Sequence, residues 1–338
     1  MRLIEVPSSL NINDLRPVER PDPPPPGVGQ VLIRMSAVSL NFRDLLVTQG
    51  RDRWRPPTGR IPVSDGVGVV QSIGPGTDRV RAGQRVITTF LPKWISGPLT
   101  AENREGALGG PSADGVLAEQ VVLDASAVVP APDYLTDTEA ATLPAAALTA
   151  WHALTRANSL GSGSTVLVEG TGGVSLFALQ IAVAAGAKVI ATSSSDIKLN
   201  RLREFGASET VNYVKHRDWG REVIELTDGR GVDHAIDIGG ATTLGQSILS
   251  ASIGGVVSIV GLVGGIVAQI NLGEVFQKNL RLDGIETGSR SMLEEMVHWF
   301  NSKRLHPIID KVFPFEDSRA ALLHLQAGGH MGKVCIAF

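Results

Sequence analysis

The stretch Val166-Leu167-Val168-Glu169-Gly170-Thr171-Gly172-Gly173-Val174-Ser175 constrains this 338-residue chain more than any other. An apolar run of strand length enters a glycine-rich turn, and a helix-forming run leaves it. A helix that starts there offers free N–H groups and the positive end of its dipole. Gly170 permits the tight turn, and Gly172 lets backbone approach a pyrophosphate with no Cβ in the way. The third position of the fingerprint is Ser175 rather than glycine, which loosens the argument for close strand–helix contact. The motif is weak alone, but it sits at the head of a strand–helix alternation. Strands are expected at 165–169, 188–192, 232–238 and 256–260. Helices fall between them, one over 174–185 with Phe177, Ala178, Ile181, Ala182 and Ala185 on one face. Apolar strands alternating with helices imply a parallel sheet covered on both faces, which is an α/β, doubly wound fold.

A sheet of that kind binds a dinucleotide at the carboxyl ends of its strands, and the second strand end selects which one. Here it reads Ala191-Thr192-Ser193-Ser194-Ser195, with no acid at the ribose position. Small hydroxyls leave room for a 2′-phosphate, and Lys198 and Arg201 follow. NADP(H) is therefore the expected cofactor. Asp196 is the contrary charge and is read as a helix N-cap. For Lys198 the bland alternative is a solvated helix face.

Before about residue 125 the texture differs, with short Val-rich runs between Gly and Pro, as expected of a β-rich unit. Pro23 to Pro26 is read as a surface connection between early strands. Thr136-Asp137-Thr138-Glu139 is a capping box that opens Ala-rich sequence, with Pro144 as a kink or break. An amphipathic helix near 292–300 and a strand over 333–338 close the chain. Lys and Arg number 31 against 34 Asp and Glu, a net charge of −3, so nucleic acid is not an expected partner. The longest apolar tract, 256–270, is interrupted by glycines and too short to span a bilayer. The single cysteine, Cys335, excludes a disulfide framework and fits a reducing, cytoplasmic setting. All seven histidines lie at or beyond His152, so residues 1–150 hold neither His nor Cys, and no metal is expected.

Several motifs, taken in order, carry a resemblance. They are Asn41-Phe42-Arg43-Asp44, Ser64-Asp65-Gly66-Val67-Gly68, Val80 to Val86, Thr149-Ala150-Trp151, the glycine turn, Gly288-Ser289-Arg290 and Gly332-Lys333. Over essentially its whole length the chain resembles the medium-chain dehydrogenase/reductase superfamily, in particular its zinc-free, quinone-oxidoreductase-like branch. The resemblance implies a Rossmann domain held within a GroES-like β-rich domain built from both chain ends. The expected division is 1–128 for the substrate domain, 129–286 for the dinucleotide-binding domain and 287–338 for the return. Zinc-dependent relatives carry catalytic ligands where this chain has Asn41, Asp65 and Ala145, and their four-cysteine lobe is absent.

Carried over position by position, Thr149 falls beside the nicotinamide, and Gly172, Gly173 and Val174 on the pyrophosphate. Ser193, Ser194, Lys198 and Tyr213 fall around a 2′-phosphate. Gly261, Leu262 and Val263 fall beside the nicotinamide ring, and Thr287, Gly288 and Ser289 on its carboxamide. Asn41 falls near the nicotinamide, facing substrate. The family also implies a homodimer joined through the last Rossmann strand, near 281–286.

The implied chemistry is metal-free hydride delivery from NADPH to a small hydrophobic electrophile, a quinone or α,β-unsaturated carbonyl, whose conjugation spreads the developing charge. Asn41 is the candidate for stabilising that charge, and Arg43 or solvent for supplying the proton. Asn41 and Asp44 could equally just stabilise a loop, and Arg43 could be a surface charge. Substrate choice is expected in 50–59 and 91–110, where Trp54 and Trp94 are either pocket walls or core. Arg51, Arg53, Arg55 and Arg60 are either an anion-attracting set or a solvated loop. The competing functions are a zinc-free alcohol dehydrogenase-like or enoyl-thioester reductase, and an NADPH-binding protein with little turnover.

Overall fold

The computed structural model describes residues 1–156 and 160–338. Two compact units emerge, Met1–Leu148 with Thr287–Phe338, and Thr149–Glu286 between them in sequence.

The inner unit is a six-stranded, all-parallel sheet. Its first strand, Thr165–Glu169, lies between Lys188–Ser193 and Val232–Asp237. Glu209–Asn212 extends the first side, and Ala251–Ile259 then Arg281–Gly284 extend the other. Numbered within this unit, the order is 3-2-1-4-5-6, the doubly wound arrangement in which chain direction across the sheet reverses beside the first strand. Thr165–Glu169 is buried at every residue, as a central parallel strand must be. Its core gathers Leu167, Ile190, Val211, Trp219, Val223, Ala235, Ile248 and Val257. The strand expected at 256–260 begins five residues earlier, at Ala251. Gly254, at φ 75°, breaks the pattern of the early residues and hides them from a periodicity argument.

The outer unit is β-rich. Its larger sheet runs Ile309–Pro314, Lys333–Ala337, Gln30–Ser39, Asp65–Ile73, Arg85–Thr88, Val128–Pro130, and Gln120–Asp124 also pairs Gln30–Ser39. The strand Lys333–Ala337 lies antiparallel to Gln30–Ser39, with Cys335 opposite Ser39. Sequence from both ends of the chain therefore shares one sheet. Its core includes Leu3, Ile33, Val38, Val70, Val116, Phe315, Leu322 and Ile336.

Residues 129–148, placed by sequence with the dinucleotide-binding half, belong to this outer unit. Val128–Pro130 pairs Arg85–Thr88, and the N–H of Ala145 donates to buried Asp65. The Thr136 capping box forms as read, and Pro144 falls in a π-helical turn over Leu143–Ala147.

Candidate functional site

In the inner unit the glycine turn has the form that a phosphate site needs. Gly170 is left-handed at φ 74°, a conformation favoured by glycine. Gly172 caps the helix Gly173–Ala184, and a Cβ there would meet no protein atom within 4 Å. Ser175 does not loosen the junction. Its buried hydroxyl donates to the carbonyl of Glu169 at 2.7 Å and so ties the first helical turn to the strand end.

Beside the turn lie the ends of the next two strands, with Ser193 opposite Asn212. The N–H of Tyr213 donates to the carbonyl of Ser193, and Lys198 Nζ lies 3.3 Å from Thr171 Oγ1 within the turn. Thr171, Ser193, Lys198 and Tyr213 are thus brought together. Asp196 is not the helix N-cap. Ser195 takes that position, accepting from the N–H of Lys198. Asp196 instead accepts from Asn212 Nδ2 at 2.7 Å and Lys215 Nζ at 2.5 Å. Lys215 and Asn212 hold its carboxyl below the usual carboxylate range. Gly261 and Val263 follow the strand Ala251–Ile259, their N–H groups donating to the carbonyls of Asp237 and Ile238. Thr149, in the same unit, has its hydroxyl 3.5 Å from the carbonyl of Glu286.

Beneath this edge is a feature that sequence reading missed. Ser247 Oγ lies 2.5 Å from Glu169 Oε1 and 2.7 Å from Asp237 Oδ2. Thr243 Oγ1 also reaches Asp237 Oδ2, at 2.9 Å, and the Gly240 N–H reaches Oδ1. A serine hydroxyl has one hydrogen to donate, so the second carboxyl contact needs a proton of its own. Burial, then the charge of Asp237, pushes Glu169 up to about 8, which places that proton on Glu169.

The outer unit carries Asn41, Arg43 and Thr287 to Ser289. Asn41 caps the helix Phe42–Thr48, and its N–H donates to Asp44 Oδ2 at 2.7 Å. Its side-chain Oδ1 accepts from Lys333 Nζ at 2.6 Å, and Lys333 also donates to the carbonyl of Leu40 at 2.7 Å. Lys333 is only 3% exposed. Its ammonium faces Asp65 and Asp44, and burial lowers its pKa. Asp44 is wholly buried and its carboxyl is pushed up to about 6, chiefly by that burial. Val63, just before Ser64 and Asp65, is left-handed at φ 75°, an unfavourable conformation for a β-branched residue. The backbones of Gly109 and Gly115 close over it, where a Cβ on either glycine would collide with its backbone.

Arg43 is buried rather than a surface charge. Its guanidinium lies over the Phe90 ring at 4.3 Å and donates to the carbonyl of Leu108. An arginine so held stays protonated, so it supplies fixed charge and no proton. Trp94, 2% exposed, joins Phe90, Leu91 and Ala145 in an apolar cluster, which settles it as core. Trp54 is half-buried, with Arg43 6.0 Å and Arg53 5.1 Å from its ring. Arg51, Arg53 and Arg55 are exposed, while Arg60 pairs with Asp114. Ser289 caps the helix Arg290–Lys303, accepting from the N–H of Met292.

The residues at the expected zinc positions do not fit a zinc ion. Ala145 has no donor side chain. Asp65 accepts from Ser64 Oγ and the Ala145 N–H, and Asn41 Oδ1 is taken by Lys333. Among the described residues no group of three or more His, Cys, Asp or Glu could hold a metal ion.

A family model described as alcohol dehydrogenase GroES-like domain matches residues 27–133, and one described as zinc-binding dehydrogenase matches 173–302. A zinc-type alcohol dehydrogenase-like protein of Schizosaccharomyces pombe is 39% identical over 330 residues, 96% of this chain and 95% of that protein. A quinone oxidoreductase of Pseudomonas aeruginosa is 32% identical over 276 residues, 80% of this chain and 75% of its own. A crystal structure of an NAD-dependent alcohol dehydrogenase superposes with a TM-score of 0.91 at 32% identity, covering both chains in full. The zinc-binding family name thus meets positions whose side chains are engaged elsewhere or carry no donor, while sequence and fold agree along the chain. The protein belongs to the medium-chain dehydrogenase/reductase family and is an oxidoreductase of that type.

Proposed function

We propose that the protein is a metal-independent, NADPH-dependent reductase of quinones or α,β-unsaturated carbonyls. The observation that carries this reading is the pairing of Asn41 with Lys333 at a position where zinc-dependent relatives bind metal. A buried amide can donate to an oxygen that gains charge, and it needs a substrate whose conjugation already spreads that charge.

The residues that would hold the cofactor are those named above. Gly172, Gly173 and Val174 present backbone to the pyrophosphate. Ser193, Ser194, Lys198 and Tyr213 receive the 2′-phosphate. Thr149, Gly261, Leu262, Val263 and Thr287 to Ser289 receive the nicotinamide end. The bound cofactor supplies a hydride from its C4. The protein's part is to orient, to exclude water and to donate from Asn41 Nδ2 to the developing enolate or quinol oxygen. Arg43 contributes a fixed positive charge, and solvent provides the proton. Commitment of both Asp196 oxygens to Asn212 and Lys215 supports a phosphate over a ribose diol.

A homodimer through the edge strand Arg281–Gly284 belongs to the same reading. The flanking stretch exposes Ile266, Val267, Leu272 and Phe276, each by 70% or more. Surface that apolar is unusual unless a partner covers it.

The test is NADPH and NADH consumption with a panel of small quinones, enones and enals in the presence of a chelator. We expect NADPH-preferring turnover that the chelator leaves unchanged. Lys198→Ala should raise KM for NADPH about 10-fold and leave that for NADH within 2-fold. Turnover with NADH alone would sink the phosphate assignment. Turnover abolished by the chelator and restored by zinc would sink the metal-free reading.

A further inference from the structure

Lys333 is a buried ammonium that reaches the candidate catalytic side chain Asn41, and the proposed function uses the contact without giving the lysine a role of its own. What decides the role of Lys333 is the chemistry of its contacts. An ammonium has three donors and no acceptor. It can therefore bond only to the oxygen of the Asn41 amide, and the 2.6 Å contact to Oδ1 fixes which way that amide is turned. The contact to the Leu40 carbonyl at 2.7 Å holds the ammonium against the backbone immediately before Asn41. Asn41 Nδ2 is left buried and without a hydrogen-bond partner. An unsatisfied buried donor is costly, and one on a candidate catalytic side chain is placed to be satisfied by a ligand.

We infer that Lys333 is a positioning residue, whose ammonium locks the Asn41 amide so that Nδ2 is presented as a donor to an oxygen of the substrate. This rests on the reading of Asn41 as a substrate contact and sharpens it. The substrate group that meets Asn41 must accept a hydrogen bond, as a carbonyl or quinone oxygen does, and must not depend on donating one. Asp65 and Asp44, which face the same ammonium, balance its charge and do not compete for the amide.

The experiment is a double-mutant cycle with NADPH and an enone or quinone that the wild-type protein reduces. Asn41→Ala is expected to lower kcat about 100-fold, the scale set by loss of one oxyanion donor. Lys333→Met should lower it about 10-fold, with KM for NADPH unchanged. The double variant should fall no more than 2-fold below Asn41→Ala, because Lys333 acts through Asn41. Factors that multiply, or a wild-type kcat in Lys333→Met, would overturn the inference. If Lys333→Met does not fold, Asn41→Asp replaces it. That variant keeps the lysine paired but puts an oxygen where the donor was, so it should fold and lose activity as Asn41→Ala does. A fully active Asn41→Asp overturns the inference.

If the wild-type protein reduces no member of the panel, the functional reading has failed and a spectroscopic readout still decides the role of Lys333. In protein labelled with 15N-asparagine, the Asn41 side-chain amide pair is identified by its loss in Asn41→Asp. It should give one sharp pair of signals in the wild type and a broadened or doubled pair in Lys333→Met. An unchanged pair would mean that Lys333 does not orient the amide.

Discussion

Glu169 shows how far one proton can set the properties of a site. The Ser247 hydroxyl lies between two carboxyls, and the fold accommodates them by keeping Glu169 protonated. Its pKa in the folded state, about 8, lies above the ordinary glutamate value of 4.5. Between those values the folded state holds more protons than the unfolded one, so this group makes stability fall as pH rises from about 4.5 through 8. Glu169→Gln preserves the shape and the neutral charge and has no proton to lose. Its melting temperature should be flatter across that window and should exceed the wild type's by a few degrees at pH 8. That corresponds to about 1–2 kcal/mol, and thermal unfolding at a series of pH values measures it. A Gln variant that melts lower than the wild type at every pH would show that Glu169 is ionised in the folded protein. The sequence could not announce this cluster, because Glu169, Asp237 and Ser247 come from three separate elements. The Lys333–Asn41 contact was hidden for the same reason, since the two residues are 292 positions apart. Ser195 and Asp196 failed differently. Both are good capping residues, they are adjacent, and only the hydrogen bond to the Lys198 N–H tells them apart.

At the scale of elements, the strand–turn–helix junction was legible because its function requires residues that leave a mark in sequence. A left-handed turn favours glycine at 170, a close backbone approach calls for glycine at 172, and a central parallel strand is apolar over most of its length. The same geometry separates the two glycines experimentally. Gly172 has φ −75° and open space where a Cβ would stand, so Gly172→Ala should fold as well as the wild type. Its Cβ would nonetheless stand where the proposed site puts the pyrophosphate, and NADPH affinity should fall at least 10-fold by fluorescence titration. Gly170, at φ 74°, should instead lose about 1 kcal/mol of stability when changed to Ala. A Gly172→Ala variant with wild-type affinity would place the pyrophosphate elsewhere. Less legible was the stretch 129–148. Its Ala-rich helical texture resembles the inner unit, but its pairing partners, Arg85–Thr88 and Asp65, lie in the outer one.

For the whole molecule, the apolar stretch beside the edge strand Arg281–Gly284 makes the strongest claim about assembly. Phe276 is 85% exposed, and a charge placed there would cost a monomer almost nothing. Phe276→Glu should leave the melting temperature of the isolated chain unchanged and convert a dimer to a monomer by light scattering at micromolar concentration. A wild-type protein that is monomeric under those conditions would remove the dimer from the reading.

The outer sheet has one further consequence, which concerns the time at which it can form. Its central strand, Gln30–Ser39, needs Lys333–Ala337 as a neighbour, and the whole inner unit is synthesised between the two. During translation the inner unit can fold as soon as it emerges, whereas the outer one must wait with an open sheet edge. Asn41 meets its Lys333 partner only once that last strand has been made. A growing chain would thus complete the unit proposed to hold the nucleotide before the sheet that joins Asn41 to Lys333 can close.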